Sequence, residues 1–237
     1  MALPSSPVYY LVVGFFLILN LSILAPPFLI FAGFEEAGAF LYNVHSYDHQ
    51  WIYRSQCVFK DASGSLGIED CIVRGREAEA NISTLYTGDG DPRYNGIFAE
   101  YKQDQIGRNK AERVVRNGMT GYKFANDTRD YAIYIPWMLT MMAYPIVFGL
   151  KQTKVPHVLW LVLGLLPLAI DGTTQMLAGI FDNPSFYWLN PFGLQESTNT
   201  IRWITGAIAG IAAGMFTVPM LNALESGGGG NGSQKAS

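Results

Sequence analysis

Charge is scarce over most of this sequence. No Asp, Glu, Lys or Arg occurs in the first 34 residues. From Tyr131 to the end there are four acids (Asp171, Asp182, Glu196, Glu225) and four bases (Lys151, Lys154, Arg202, Lys235). Charged residues make up 15% of the chain and hydrophobic ones 49%, whereas soluble domains carry about a quarter charged residues. Two cysteines and no Cys-x-x-Cys pair argue against a structural zinc site. A net charge of −3 leaves no basic footprint, so nucleic acid is not an expected partner. No internal repeat and no complete catalytic constellation is visible, and no motif names a cofactor.

What charge there is gathers in the middle, where 15 of the 19 acids and 12 of the 16 bases lie between Glu35 and Asp130. The apolar blocks on either side are long enough for membrane helices, which need about 20 apolar residues. The first span runs from Val8 to Ala32. It reads as a retained helix, broken or kinked at Pro26-Pro27, because a basic n-region and a small-residue cleavage site are missing. The others run from Tyr131 to Leu150, Val158 to Phe181 and Asn199 to Leu224. The loop from Asp182 to Thr198, with Tyr187 and Trp188, suits a membrane interface.

These segments predict an all-α membrane protein of four transmembrane helices, with an inserted extracytoplasmic polar domain of mixed or irregular structure. The domain limits are 1–34 for the first helix, 35–130 for the polar domain, 131–225 for a three-helix block and 226–237 for a flexible Gly/Ser tail. The linker with Lys151, Lys154 and His157 is the one basic short loop. The positive-inside rule makes it cytoplasmic, the polar domain external and both termini cytoplasmic in a multi-pass cell-membrane protein. In that external setting Cys57 and Cys71 are expected to form a disulfide.

Within the polar domain, Ala99 to Asn117 is rich in Glu, Lys, Gln and Arg and reads as a surface helix capped by Gly118. Asp89 and Asp91 have the spacing of a calcium loop but lack the closing glutamate, and a solvated turn is the simpler reading. Asn81-Ile-Ser83 and Asn126-Asp-Thr128 are glycosylation sequons only in a glycosylating organism.

Asp171 stands near the middle of the third span, where an ionisable group marks either a functional site or a structural hydrogen bond between helices. Thr174 and Gln175 follow at i+3 and i+4 on the same helix face. Arg202, one turn into the fourth span, either snorkels to the headgroups or pairs with that stripe. Gly206, Gly210 and Gly214 then recur every fourth residue, a signature of close helix packing. Because successive helices alternate direction, four groups fall on one side of the membrane. These are His49, Gln50 and Arg54 after the first span, Arg129 and Asp130 at the second, Asp171 and Gln175 in the third, and Arg202 in the fourth. A shared polar cluster is expected there.

The motifs resemble a prokaryotic family of predicted membrane proteins known only as a domain of unknown function. The matching stretches are Leu24-Ala-Pro26, Leu41-Tyr42, His49-Gln50 with Arg54-Ser55, and Arg129-Asp130 with Ala132-Ile-Tyr134. Further along they are Ala169-Ile-Asp-Gly172 with Thr174-Gln175, then Glu196-Ser197, Asn199, Arg202 and Thr205-Gly206. Residues 60 to 123 look like an insertion. The family's two motif cysteines are replaced here by Asp48 and Asp127. The resemblance therefore implies either a harder metal set of Asp48, His49 and Asp127 or no metal at all.

Three function classes follow. The first is an accessory or structural subunit of a larger membrane complex, with the lipid bilayer and other membrane subunits as partners. The second is a metal-assisted hydrolase at the outer interface, with Asp48, His49, Asp127, Asp130 and Asp171 as ligands or acid/base groups. The third is a small transporter using Asp171 and Arg202.

Overall fold

Among the described residues of the computed structural model, four helices are long and apolar enough to cross a membrane: Pro7–Phe31, Thr128–Phe148, Val158–Ala178 and Asn199–Ser226. The shortest have 21 residues, about 31 Å at 1.5 Å per residue, against a hydrocarbon core of about 30 Å. The structure describes residues 7–45, 52–73, 80–86, 97–100, 112–149, 152–181 and 197–228.

The elements in chain order are α1 (Pro7–Phe31), α2 (Glu35–Val44), a 3-10 turn (Ile52–Arg54), and β1 (Gln56–Lys60). They continue with β2 (Leu66–Asp70), β3 (Ala80–Tyr86), β4 (Ile97–Glu100), β5 (Arg113–Arg116) and β6 (Met119–Lys123), then α3 (Thr128–Phe148), α4 (Val158–Phe181) and α5 (Asn199–Gly228). Among the described residues the strands form one six-stranded sheet in the order β2-β1-β6-β5-β3-β4, with every pairing antiparallel. This overturns the all-α expectation. It also corrects both ends of the surface helix expected over Ala99–Asn117, since Ala99 and Glu100 end β4 and Arg113–Arg116 are β5, while residues 101–111 lie outside the described residues.

The physical reason is legible at Asn117-Gly118. Arg116 pairs with Met119, so these two residues are the whole loop of a hairpin, and their φ angles are 49° and 75°. Two positive φ values in a two-residue loop make a type I′ turn, whose twist matches that of the strands and which Asn-Gly favours above other pairs. Gly118 is therefore a turn glycine and not a helix cap. A Cβ at Gly118 would meet nothing within 4 Å, so Gly118→Ala tests the backbone alone. It is expected to destabilise the sheet by about 1 kcal/mol, read as a lowered midpoint in denaturant. An unchanged midpoint would refute the turn assignment.

The chain divides into two units, Met1–Ile18 with Ala132–Ser237, and Leu19–Tyr131. In the second unit, one face of the sheet buries Cys57, Phe59, Ile82 and Val114 with Ile52, Cys71, Ile72 and Ala80. Gly121 is required there because an added Cβ would lie 2.5 Å from the Phe59 ring. Arg116 stacks over that ring with its guanidinium carbon 4.4 Å from the centroid and pairs with Glu69 on β2. The Cys57–Cys71 disulfide is formed, with both cysteines fully buried. On the other face Tyr122 packs beside Ile30, Ala39, Tyr42 and Ala125, and its ring meets Phe31 at 4.9 Å.

α1 runs through Pro26 and Pro27 as one helix, so of the break or kink expected there the break is absent. Proline has no N–H to give the carbonyl four residues back. The carbonyl left over by Pro27 is that of Ile23, which accepts the Ala125 N–H at 2.9 Å. α1 then ends in a Schellman motif. Phe34 N–H reaches Leu29 O at 2.8 Å, Gly33 N–H reaches Ile30 O at 3.0 Å, and Gly33 takes a φ of 90°, as the left-handed cap requires. α2 folds back along α1 after it, with Gly38 so close that a Cβ would meet Ile30 Cγ1 at 2.6 Å.

In the first unit Tyr9 donates to Met141 O at 3.0 Å, the carbonyl that Pro145 leaves without its helix partner. Phe16 packs on Trp137 at 4.8 Å, so these parts of α1 and α3 run antiparallel. α5 lies parallel to α3. A Cβ on Gly210 would sit 2.3 Å from Ile133 O, and one on Gly214 would sit 2.6 Å from Thr140 Cβ. Two of the three stripe glycines thus pack against α3 of the same chain, and Gly206 is buried on α5. Trp137 Nε1 donates to Thr217 Oγ1 at 2.9 Å across the same contact. α4 packs antiparallel to α5, where Gly164 meets Ala212. α5 continues as helix through Ser226 to Gly228, and the rest of the expected tail lies outside the described residues.

Candidate functional site

α4 and α5 each bring polar side chains into an otherwise apolar contact. Asp171 and Gln175 on α4 are 5% and 7% exposed, and Asn199, Arg202 and Thr205 on α5 are 3%, 1% and 9% exposed. Arg202 is the largest fully buried side chain described. The pattern is local in origin. Asp171 and Gln175 stand at i and i+4, and Asn199, Arg202 and Thr205 at successive i+3 steps, so each set occupies one helix face.

The two faces meet at Thr205. Its hydroxyl lies 3.4 Å from Asp171 Oδ2, 3.0 Å from Ile201 O and 3.4 Å from Arg202 O. One hydroxyl proton is therefore shared between the α4 carboxylate and the α5 backbone. Arg202 Nε donates to Ser197 Oγ at 3.2 Å, and Thr174 turns its hydroxyl back to Asp171 O at 2.9 Å. Thr205 joins the two helices here and Asn199 is buried on the same face of α5, although the sequence reading did not count them among its site residues. Their i+3 spacing around Arg202 is the signal that points to them. Gly210 faces Ile133 and Trp137, so Thr205 lies toward the N-terminal end of α3.

The remaining sequence candidates belong to the other unit. Arg54 ends the 3-10 turn, and Arg129 and Asp130 lie in the first turn of α3, all half-buried. Asp130 N–H bonds Asp127 O at 3.0 Å. Tyr131 donates to Gln56 Oε1 and lies equally close to Thr128 Oγ1, at 3.0 Å, tying the first turn of α3 to β1 within the second unit. Asp48, His49 and Gln50 lie outside the described residues, as do the Asp89–Asp91 turn and most of the Asp182–Thr198 loop. Among the described residues no group of three His, Cys, Asp or Glu side chains is placed to hold a metal. Asn81 is exposed on β3, while Ser83 and Thr128, the third residues of the two sequons, are buried.

Two groups outside the spans have shifted pKa values with clear causes. Burial, with Glu112 and Tyr122 nearby, pushes the Tyr42 hydroxyl well above its ordinary range. Tyr42 stays protonated and donates to Lys123 O, fastening α2 to β6. Partial burial lowers the pKa of His45, which meets Ser22 Oγ through Nε2 at 2.9 Å. Because the Ser22 hydroxyl proton goes to Leu19 O, His45 Nε2 is the donor in that bond.

Residues 113–216 match the family described as "Predicted membrane protein (DUF2085)". An uncharacterized protein of Methanocaldococcus jannaschii is 34% identical over 100 residues, covering 42% of this chain and 54% of that protein. The chain thus spans about half the length of the curated relative it matches. No solved structure matches the chain. The family match takes in β5 to α4 and most of α5, with Arg129, Asp130, Asp171, Gln175 and Arg202, and leaves out α1 and the Cys57–Cys71 hairpin. Together with the four apolar helices, these similarities make the chain a predicted membrane protein.

Proposed function

We propose that the protein is an accessory, structural component of a larger membrane complex. In this reading four membrane helices anchor the polar segment 35–130 on the extracytoplasmic side, with both termini in the cytoplasm. The observation that carries it is the closure of the α4–α5 cluster. Asp171, Gln175, Asn199 and Arg202 are each no more than 7% exposed, whereas a substrate or a transported ion needs access to the groups that bind it. Polar residues so enclosed act as glue between helices. The buried disulfide supports the external placement, since such bonds persist in oxidising compartments.

Purification in mild detergent is expected to recover a different membrane protein in stoichiometric amount. Recovery without one, with bound metal or with solute flux in vesicles, would overturn the reading. For orientation, cysteines placed at the exposed positions Ser63 and Lys154 should react with impermeant reagent from opposite faces, Ser63→Cys from outside. Labelling of both from one face would refute the topology.

A further inference from the structure

β2 is an edge strand, at one end of the sheet order, and four of its five residues are exposed. Leu66 and Ile68 are 50% and 58% exposed on one face of it. Sheet edges are ordinarily protected by charged side chains, lysine above all, by proline or by a bulge. The two charges of β2, Glu69 and Asp70, both lie at its C-terminal end, and Glu69 is turned to Arg116. From Ala62 to Val73 there is no Lys, Arg or Pro, and the pairing of β1 with β2 runs unbroken from Gln56↔Asp70 to Lys60↔Leu66.

The edge is also held rigid at both ends. At the turn, Asp61 Oδ1 accepts from Ser63 N, Ser63 Oγ and Ser65 N at 2.6 to 2.9 Å, and Gly64 takes a φ of 85°. At the other end the Cys57–Cys71 disulfide ties β1 to the residue after β2. A strand already ordered before contact loses less entropy on binding.

We propose that β2 is a dimerisation edge, pairing antiparallel with β2 of a second copy of this chain about a two-fold axis at Gly67. The occupant follows from the register. Centred on Gly67, Leu66 of each copy stands opposite Ile68 of the other, so the exposed apolar pair covers itself. Glu69 then faces Ser65 and Asp70 faces Gly64, with no acid opposite an acid. Moving the axis one residue, to Ile68, would set Leu66 against Asp70. Moving it two, to Glu69, would set the two Glu69 side chains against each other, where like charges directly opposite are destabilising. The contact is isologous, as two-fold symmetry requires. It goes beyond the accessory-subunit reading and stands without it.

The test uses the full chain in its own membrane. A Cβ at Gly67 meets nothing within 4 Å, so Gly67→Cys fits the strand. Opposed residues in an antiparallel pair have Cα atoms about 4.5–5.5 Å apart, within disulfide reach. On mild oxidation Gly67→Cys is expected to give a covalent species of twice the chain mass, far more than Ser63→Cys at the exposed hairpin tip. Ile68→Lys, at an exposed position, should keep the fold and the native disulfide. It should weaken association about tenfold or more, because a desolvated charge meets an apolar partner. A monomeric Gly67→Cys, equal cross-linking of the two cysteine variants, a cross-link to a different protein, or a dimer indifferent to Ile68→Lys would each overturn the proposal.

Discussion

Gly210→Ala is expected to destabilise the helix bundle by about 3 kcal/mol or more, at or above the usual range for overpacking. The added Cβ would stand 2.3 Å from Ile133 O and 3.1 Å from Trp137 N. Both are backbone atoms of α3, so no rotamer change relieves the contact and the two helices must separate. Separation would also pull Trp137 from Thr217. Gly14 on α1 is the control, since a Cβ there meets nothing within 4 Å. Gly14→Ala should be neutral or stabilise by up to about 1 kcal/mol through helix entropy alone. Thermal unfolding in detergent, followed by tryptophan fluorescence, compares the two variants. Equal behaviour would mean that α5 does not approach α3 as closely as the structure has it.

Asp171 and Arg202 are expected to be energetically coupled. Each is almost wholly buried, and Thr205 stands in contact with the side chain of one and the backbone of the other. Removing one member of a buried charged set leaves the other uncompensated in a low dielectric, at a cost of about 3–5 kcal/mol. Asp171→Asn and Arg202→Gln should each destabilise strongly, while the double variant should cost less than the two losses added. A double-mutant cycle reads the difference directly. Strict additivity would show that the two side chains do not act as a unit. If the cluster is glue between helices, the single variants should also loosen α4 from α5, measurable as faster backbone amide exchange in α4.

The membrane helices were legible because the bilayer imposes a constraint that is local in sequence: about 20 apolar residues in a row. Asp171 and Arg202 were legible for the same reason, since a charge inside such a run is conspicuous wherever its partner lies. The Asn117-Gly118 turn was equally local, but Glu, Lys, Gln and Arg upstream of it suggested a helix. Over Arg113–Arg116 the turn pair outweighs that composition, because it sets the geometry of β5 and β6 while surface helix propensity amounts to a few tenths of a kcal/mol per residue. The sheet's short strands, of four to seven residues, carry too little periodicity to be told from irregular structure one at a time.

The amino-acid sequence by itself determined the four apolar helices, the polar insert, the placement of two cysteines within it, and the unusual depth of Asp171. Each depends on residues near one another in the chain. Only the tertiary structure decided what those features meet. The glycine stripe of α5 reads as a packing surface from spacing alone, but its partner is α3 of the same chain, a choice made by the approach of Gly210 to Ile133. Pro27 reads as a helix breaker, yet the carbonyl it leaves over is taken by Ala125, 102 residues away in sequence, and the carbonyl that Pro145 leaves over is taken by Tyr9, 132 residues away. Local pattern sets which groups need a partner, because desolvation acts on each residue alone. Which partner satisfies them depends on contacts between distant segments, and those exist only once the chain has folded.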